Sequence, residues 1–134
     1  MRQFGDANVE SHFQAMSNLL ADPKVLVCPS DIWLPAANLG SGLSNTNLSY
    51  FLGLDVQDTN PQMVLTGDRN LTNGPLPPDR ILVLNTNFPL GWTREMHHYQ
   101  GNIGLADGSV QQYSNSRLTE ALRNASFTNR LAMP

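Results

Sequence analysis

The stretch HHYQGNIGLADGSVQQY, residues 97–113, contains the clearest folding signal in the chain. Apolar residues alternate through Ile103 and Leu105 and resume at Val110, with the pair Asp107-Gly108 between the two runs. Alternation with a period of two is typical of β-strands, and an Asp-Gly pair is typical of a type I′ turn, in which both central residues need positive φ. The stretch therefore predicts a β-hairpin.

The composition limits what kind of molecule this chain can be. Its 134 residues are enough for one domain with its own hydrophobic core. A net charge of −3 with only 8 Lys+Arg offers no basic surface for nucleic acid or for an anionic membrane. No apolar run approaches the roughly 18 residues needed to span a bilayer, and we identify no signal peptide. The sequence as given predicts a soluble domain.

Two helices are predicted, one at each end of the domain. Residues 8–21 form the first, because apolar residues recur at spacings of four, three and four; they are Val9, Phe13, Met16 and Leu20. The pair Asp22-Pro23 ends this helix, since the residue before a proline is pushed out of the α region. Residues 116–126 form the second, with one apolar face made of Leu118, Ala121, Leu122 and Ala125.

Residues 24–113 are predicted to form the sheet and its loops. Runs rich in β-branched and aromatic residues indicate strands at 48–52, 62–66 and 80–84, and the hairpin adds two more. Residues 24–28 indicate a short extended segment, and proline and glycine between the runs indicate loops. We therefore predict one α+β domain over residues 1–134. An N-terminal amphipathic helix packs on an antiparallel sheet of four to five strands with long loops, and a short helix closes the chain.

The histidines do not form a metal-binding motif. His97 and His98 are adjacent, so on a strand their side chains would point to opposite faces of the sheet. His12 and the single cysteine, Cys28, are distant in sequence, and this spacing does not suit zinc.

Cys28 is most simply a small buried hydrophobic residue. A nucleophilic arrangement of Cys28, His98 and Asp107 can be written down, but no nucleophile motif surrounds the cysteine. The sequence therefore predicts no catalytic residue.

Three aspartates, Asp55, Asp58 and Asp68, could supply oxygen ligands to a calcium ion, although their spacing does not match an EF-hand. Asp68 is better explained as a turn cap or as the partner of an arginine such as Arg69. Asn-X-Ser/Thr triplets at Asn47, Asn70 and Asn124 are explained by chance in an asparagine-rich chain. We predict no metal ligand, no cofactor-binding residue and no cofactor.

Three separated segments together resemble one known family. The first is DPKVLVCPSD, residues 22–31; the second is Ser49-Tyr50 with GDRN, residues 67–70; the third combines His97-His98, Gly101-Asn102 and ADGSV, residues 106–110. In this order, over roughly residues 8–125, they resemble pseudopilin-like proteins of type II secretion and type IV pilus-like systems. In that signature a second glycine usually follows the histidine, and Gln100 stands there in this chain.

The resemblance implies a structural subunit with a pilin-like head, not an enzyme. Its partners would be other pseudopilin subunits, the secretion machinery and exported proteins. It would lie on the periplasmic or cell-surface side, anchored in the inner membrane when full length by an N-terminal helix that is cleaved at a prepilin-type site and methylated. That apolar helix is missing from this sequence, so residues 8–21 would be the distal part of the long helix.

One rival interpretation belongs to a different class of function. A secreted ligand-binding module or hydrolase could use residues on a loop face around His98, namely Trp33, Trp92 and Tyr99.

Overall fold

An antiparallel β-sheet is the main element of the fold. The computed structural model describes residues 9–40, 43–57, 59–84, 90–124 and 129–134. In chain order the strands are β1 Tyr50–Gly53, β2 Val64–Asp68, β3 Leu71–Thr72, β4 Ile81–Leu84, β5 Gly91–Trp92, β6 Gln100–Leu105, β7 Val110–Ser114 and β8 Asn129–Ala132. Six of them form one sheet in the spatial order β4-β8-β1-β2-β6-β7, and β3 pairs with β5 in a second, two-stranded sheet.

The helices of the described chain are short. Helix α1 spans Val9–Ala15 and helix α2 spans Asn115–Asn124, while Pro23–Leu26 and Asn45–Asn47 are single 3₁₀ turns. Over the described ranges, no helix combines the length and apolarity needed to cross a membrane.

The predicted fold class, an N-terminal amphipathic helix packed on a sheet of four to five strands, is wrong. The described chain is mostly antiparallel sheet, and α1 has only seven residues. The chain turns after Ala15, where Met16 N donates to Phe13 O at 3.1 Å. The apolar stripe continues in sequence beyond that point, and Met16 and Leu20 stay partly buried against the cluster that contains Val9 and Phe13, while Leu19 beside them is 85% exposed. These contacts are made from a turn, so the apolar pattern does not require the helix to continue.

Two further elements differ from the sequence analysis. Strand β8 was not predicted, although it lies between β4 and β1. It has only four residues and no apolar alternation; its stability comes from a partner on each side. The segment predicted to be extended at 24–28 is instead largely the 3₁₀ turn Pro23–Leu26, which begins where Asp22 Oδ1 accepts a hydrogen bond from Lys24 N at 2.9 Å.

The predicted apolar face of the second helix is only partly described. Leu118 is buried, as a core-facing residue should be, whereas Ala121 is exposed. The side chains of Leu122 and Ala125 lie outside the described residues.

The two faces of the large sheet are covered unequally. One face forms the main core with β3, β5 and α2; its buried residues include Phe51, Leu82, Leu84, Trp92, Ile103, Leu105, Leu118 and Leu131. The opposite face contributes to a smaller cluster of Val9, Phe13, Leu26, Leu43, Leu48 and Ala132. On that second face β7 is left open, since Val110 is 71% exposed.

The predicted hairpin is present, but its turn is not type I′. Strand β6 pairs with β7, and Gly108 N donates to Leu105 O at 2.9 Å. Only Gly108 is left-handed, with φ of 88°, and Asp107 is not. The Asp107 side chain instead accepts hydrogen bonds from Ser109 N at 2.8 Å and Ser109 Oγ at 2.6 Å. This is the pattern of a hairpin loop that ends in a left-handed glycine.

Substituting the two turn residues should change the free energy of unfolding by very different amounts. Gly108→Val is expected to lower the free energy of unfolding by about 1–3 kcal/mol, because a β-branched residue is strained at positive φ. Asp107→Asn is expected to leave it nearly unchanged, because the amide oxygen can accept the same two hydrogen bonds. Urea unfolding of both variants measures this. A larger loss for Asp107→Asn than for Gly108→Val would show that the Asp107 charge has a role of its own.

Candidate functional site

Parts of the three segments that carry the family resemblance meet in space, whereas ADGSV, residues 106–110, forms the separate hairpin turn. The parts that meet contribute to a cluster of polar residues that we call the polar network: Cys28, Asp31, Ser49, Asp68, Arg69, Asn70, Glu95, His97 and Asn102. The network lies where β1 begins, where β2 ends and where the chain leads from β5 into β6. Loops that are far apart in sequence are therefore joined at one end of the sheet.

The centre of the network is a buried ion pair. Arg69 binds Asp31 through two parallel hydrogen bonds, from Nε to Oδ2 at 2.7 Å and from Nη2 to Oδ1 at 2.6 Å. The Asp31 side chain is 0% exposed and that of Arg69 is 8% exposed. Arg69 also donates to Glu95 at 3.1 Å and lies 3.8 Å above the centre of the Trp33 ring. Two-point Arg–carboxylate pairing and stacking fix the guanidinium in one orientation.

Ser49 connects this ion pair to the sheet. Its hydroxyl donates to Asp31 Oδ2 at 2.7 Å and accepts from Cys28 N at 2.8 Å. Its backbone donates to Leu26 O and accepts from Arg69 N. All of these groups are therefore satisfied within the protein, and Ser49 itself is 0% exposed.

Asn70 holds the loop that leads into β6. Its side-chain amide donates to Thr93 O at 3.2 Å and to Gln100 O at 3.0 Å, at the two ends of that loop. Between these ends, Met96, His98 and Tyr99 are left-handed, with φ of 66°, 53° and 63°. Non-glycine residues in this region cost energy and persist only where the surrounding contacts fix them.

The contacts of His97 do not form a catalytic relay. Its Nε2 atom lies 3.5 Å from Cys28 Sγ and 3.4 Å from Asp68 Oδ2. Both neighbours therefore approach the same ring nitrogen. A nucleophile–histidine–carboxylate relay needs the nucleophile at one ring nitrogen and the carboxylate at the other.

The arrangement written down from the sequence, Cys28 with His98 and Asp107, is not the one that the structure assembles. The histidine beside Cys28 is His97, and His98 is exposed. Asp107 is exposed in the hairpin turn and bonds to Ser109.

The aspartates considered for calcium have other partners. Asp55 is bound by Arg130, whose Nη2 donates to Oδ1 at 2.8 Å, and Asp68 belongs to the polar network. Asp58 lies outside the described residues. Among the residues that are described, no group of three or more His, Cys, Asp or Glu side chains could hold a metal ion.

The aromatic residues of the rival loop-face interpretation are dispersed. Trp92 is buried in the main core at 3% exposure, and Trp33 stacks on Arg69. Tyr99 is 55% exposed and His98 is exposed, whereas Trp33 is partly buried. Of the Asn-X-Ser/Thr triplets, Asn70 is 1% exposed and Asn47 donates to Leu34 O, while the side chain of Asn124 is outside the described residues.

The two network aspartates have pKa values shifted in opposite directions. Burial alone would raise the pKa of Asp31, but hydrogen bonds from Arg69 and Ser49 and the Arg69 charge hold it below the ordinary 3.8. Burial raises the pKa of Asp68 above 3.8, although the hydrogen bonds from Asn102 and the proximity of His97 oppose this.

The lowered pKa of Asp31 predicts an acid-dependent loss of stability. A carboxylate with a depressed pKa stabilises the fold fully above its unfolded-state pKa of about 3.9, and this contribution is lost as the pH falls through the folded value. We expect Asp31→Asn to be less stable than the wild type at pH 7 and the difference to shrink below about pH 4. Urea unfolding from neutral to acid pH measures both. A constant difference down to the most acid pH would contradict the charge pairing.

Several network residues were not singled out as a site from the sequence: Asp31, Ser49, Asn70, Glu95 and Asn102. The available signal was the resemblance, since four of them fall inside its three segments. Comparison of the chain with protein-family models, curated proteins and solved structures finds no match.

Proposed function

We propose that the chain is the globular part of a pseudopilin-like or minor pilin-like subunit of a type II secretion or type IV pilus-like filament. It acts in protein export or surface assembly by packing against other subunits, and it is not an enzyme. The observation that carries the proposal is that residues from all three segments of the resemblance meet in one largely buried network, although ADGSV, residues 106–110, lies outside it. A signature whose residues bind one another suits a structural protein.

The chemistry of the network supports a structural role. Asp31, Ser49 and Asn70 use their side chains to bind other parts of the same chain. Cys28 and Asp68 both approach the same ring nitrogen of His97, so these three residues do not form a relay.

Exposed apolar side chains next to the network support protein contacts. Ile32 is 81% exposed and Leu34 is 74% exposed. Between them, Trp33 is fixed by the Arg69 guanidinium on its ring and by its backbone N–H, which donates to Asp31 Oδ1 at 3.3 Å. Large apolar side chains presented on a fixed loop are typical of surfaces that bind other proteins.

Photo-cross-linking in the source cells tests the proposal. A photoreactive residue at Leu34, with the gene at its own locus, should form adducts with other pilin-like subunits, identified by mass spectrometry. The matched control is Glu120, an exposed residue of α2. The mature protein should also carry a methylated N-terminus produced by prepilin-type cleavage. A mature protein released by ordinary signal-peptide cleavage, with equal adducts from Leu34 and Glu120, would overturn the proposal.

A further inference from the structure

An apolar groove lies on the less covered face of the large sheet. It has a volume of about 260 Å³. Phe13 of α1 and Tyr50 of β1 line it, and Val110 of β7 lines it as well. Gly104 on β6 also lines it, and a Cβ there would crowd Thr66 Cγ2 at 3.1 Å.

The strand register shows how the groove is arranged. Thr66 pairs with Gly104, and Gly104 pairs with Val110, so these three residues form one row across the sheet. Asp68 and Asn102 also line the groove and lie two residues further along the same strands, on the same face. Two residues of a strand span about 7 Å. The groove therefore has an apolar row at one end and a carboxylate at the other.

The carboxylate at that end is not fully used by the protein. Asp68 Oδ2 accepts from Asn102 N at 2.7 Å and from Asn102 Nδ2 at 3.2 Å, and it lies near His97. Asp68 Oδ1 accepts no hydrogen bond from the described part of the chain. The Asp68 side chain is 3% exposed, so water compensates its charge poorly. A bound cation would compensate the charge of the Asp68 carboxylate and give Oδ1 a hydrogen-bond donor.

The size of the groove indicates the size of its occupant. Pockets for drug-sized ligands measure about 300–1,000 Å³, and this groove is smaller. A long basic side chain has an apolar stem and a charged head, which is the pattern of the groove. Arginine fits better than lysine because its flat guanidinium can stack on an aromatic ring such as Tyr50 while it binds a carboxylate. The net charge of −3 favours a basic partner.

We propose that the groove binds a single arginine side chain presented by a protein partner. The stem lies against Phe13 and Val110, and the guanidinium binds Asp68 Oδ1. The inference depends only on the groove and does not require that the partner is a filament subunit.

Titration of the 134-residue chain followed by amide NMR tests this inference. The probe is N-acetyl-arginine methylamide, and the matched control is the citrulline compound, which has nearly the same shape without the charge. The arginine probe should give saturable shifts at Thr66, Gly104 and Val110 in the millimolar range. The citrulline probe should bind about tenfold or more weakly, because a charge-assisted hydrogen bond is lost. Equal binding of the two probes, or no saturable shift, overturns the proposal.

Variants test the role of Asp68 and the location of the site. Asp68→Asn keeps an oxygen for Asn102 and removes the charge, so it should weaken the arginine probe about tenfold or more. Val110→Lys places a like charge at the rim and should also weaken binding. This second variant does not depend on the fold tolerating a change at Asp68, because Val110 is 71% exposed. Val25→Lys is the matched control, because Val25 is 57% exposed, is not among the groove residues and undergoes the same charge change.

Two results distinguish a protein partner from other occupants. If butylguanidinium binds and N-acetyl-arginine methylamide does not, the groove takes free small cations and the proposal is wrong. If Val110→Lys binds the arginine probe as tightly as Val25→Lys, the site lies elsewhere and the proposal is also wrong.

Discussion

Arg69→Ala is expected to lower the free energy of unfolding by about 3–5 kcal/mol, because it leaves the buried Asp31 carboxylate without its cation. The Asp31 side chain is 0% exposed, and two of its hydrogen bonds come from Arg69. Removing one partner of a buried ion pair is costly even where the pair itself contributes little net stability. Urea unfolding monitored by circular dichroism measures the loss.

Arg130→Ala is the matched control for this prediction. Arg130 also binds an aspartate through two nitrogens, but the Arg130 and Asp55 side chains are 38% and 29% exposed. Exposed ion pairs contribute about 0–1 kcal/mol, so this variant should be nearly as stable as the wild type. If Arg69→Ala is no less stable than Arg130→Ala, the network does not support the fold as we describe.

Gly101→Ala is expected to lower the free energy of unfolding by about 1–3 kcal/mol, through a clash in the main core. A Cβ at Gly101 would overlap the ring of Trp92, which is 3% exposed. The backbone that carries the ring is fixed, since Trp92 pairs with Leu71 and its backbone N–H donates to Asn115 Oδ1 at 2.6 Å. The tryptophan emission spectrum of the native state should change as well.

Gly40→Ala is the control for the glycine substitution. Among the residues that the structure describes, a Cβ at Gly40 would meet only Asn38 Oδ1, at 3.5 Å, so stability should change by less than about 0.5 kcal/mol. Equal effects of the two substitutions would mean that Trp92 does not pack on Gly101. The contact gives a physical reason for a glycine in the Gly101-Asn102 segment of the resemblance.

Local patterns predicted the hairpin but not the extent of the first helix or the central strand β8. The hairpin depends on residues that are close in sequence, from Leu105 to Val110, so its signal is local. The local apolar pattern does not mark the end of helix α1 at Ala15, because the stripe continues through Met16 and Leu20, which also pack against the core. Strand β8 depends on β4 and β1, which are tens of residues away, and its own four residues carry no pattern.

The candidate site was predictable only through the resemblance. Cys28 and His97 are 69 residues apart and Asp31 and Arg69 are 38 apart, so no local spacing links them. The choice between His97 and His98 also needed the backbone. His98 is left-handed, which breaks the strand alternation that the sequence argument assumed. The sequence therefore shows which polar residue types are present, but spacing along the chain does not show which of them contact one another.

The central claim is that separated segments form one cooperative structural network, and native-state hydrogen exchange tests it most directly. The relevant amides are those of Cys28, Ser49, Arg69 and Thr93, each of which donates within the network or beside it. In Arg69→Ala, relative to Arg130→Ala, we predict that all four lose protection together by a similar factor. Loss of protection at Arg69 alone, with Cys28 and Thr93 unchanged, would contradict the account.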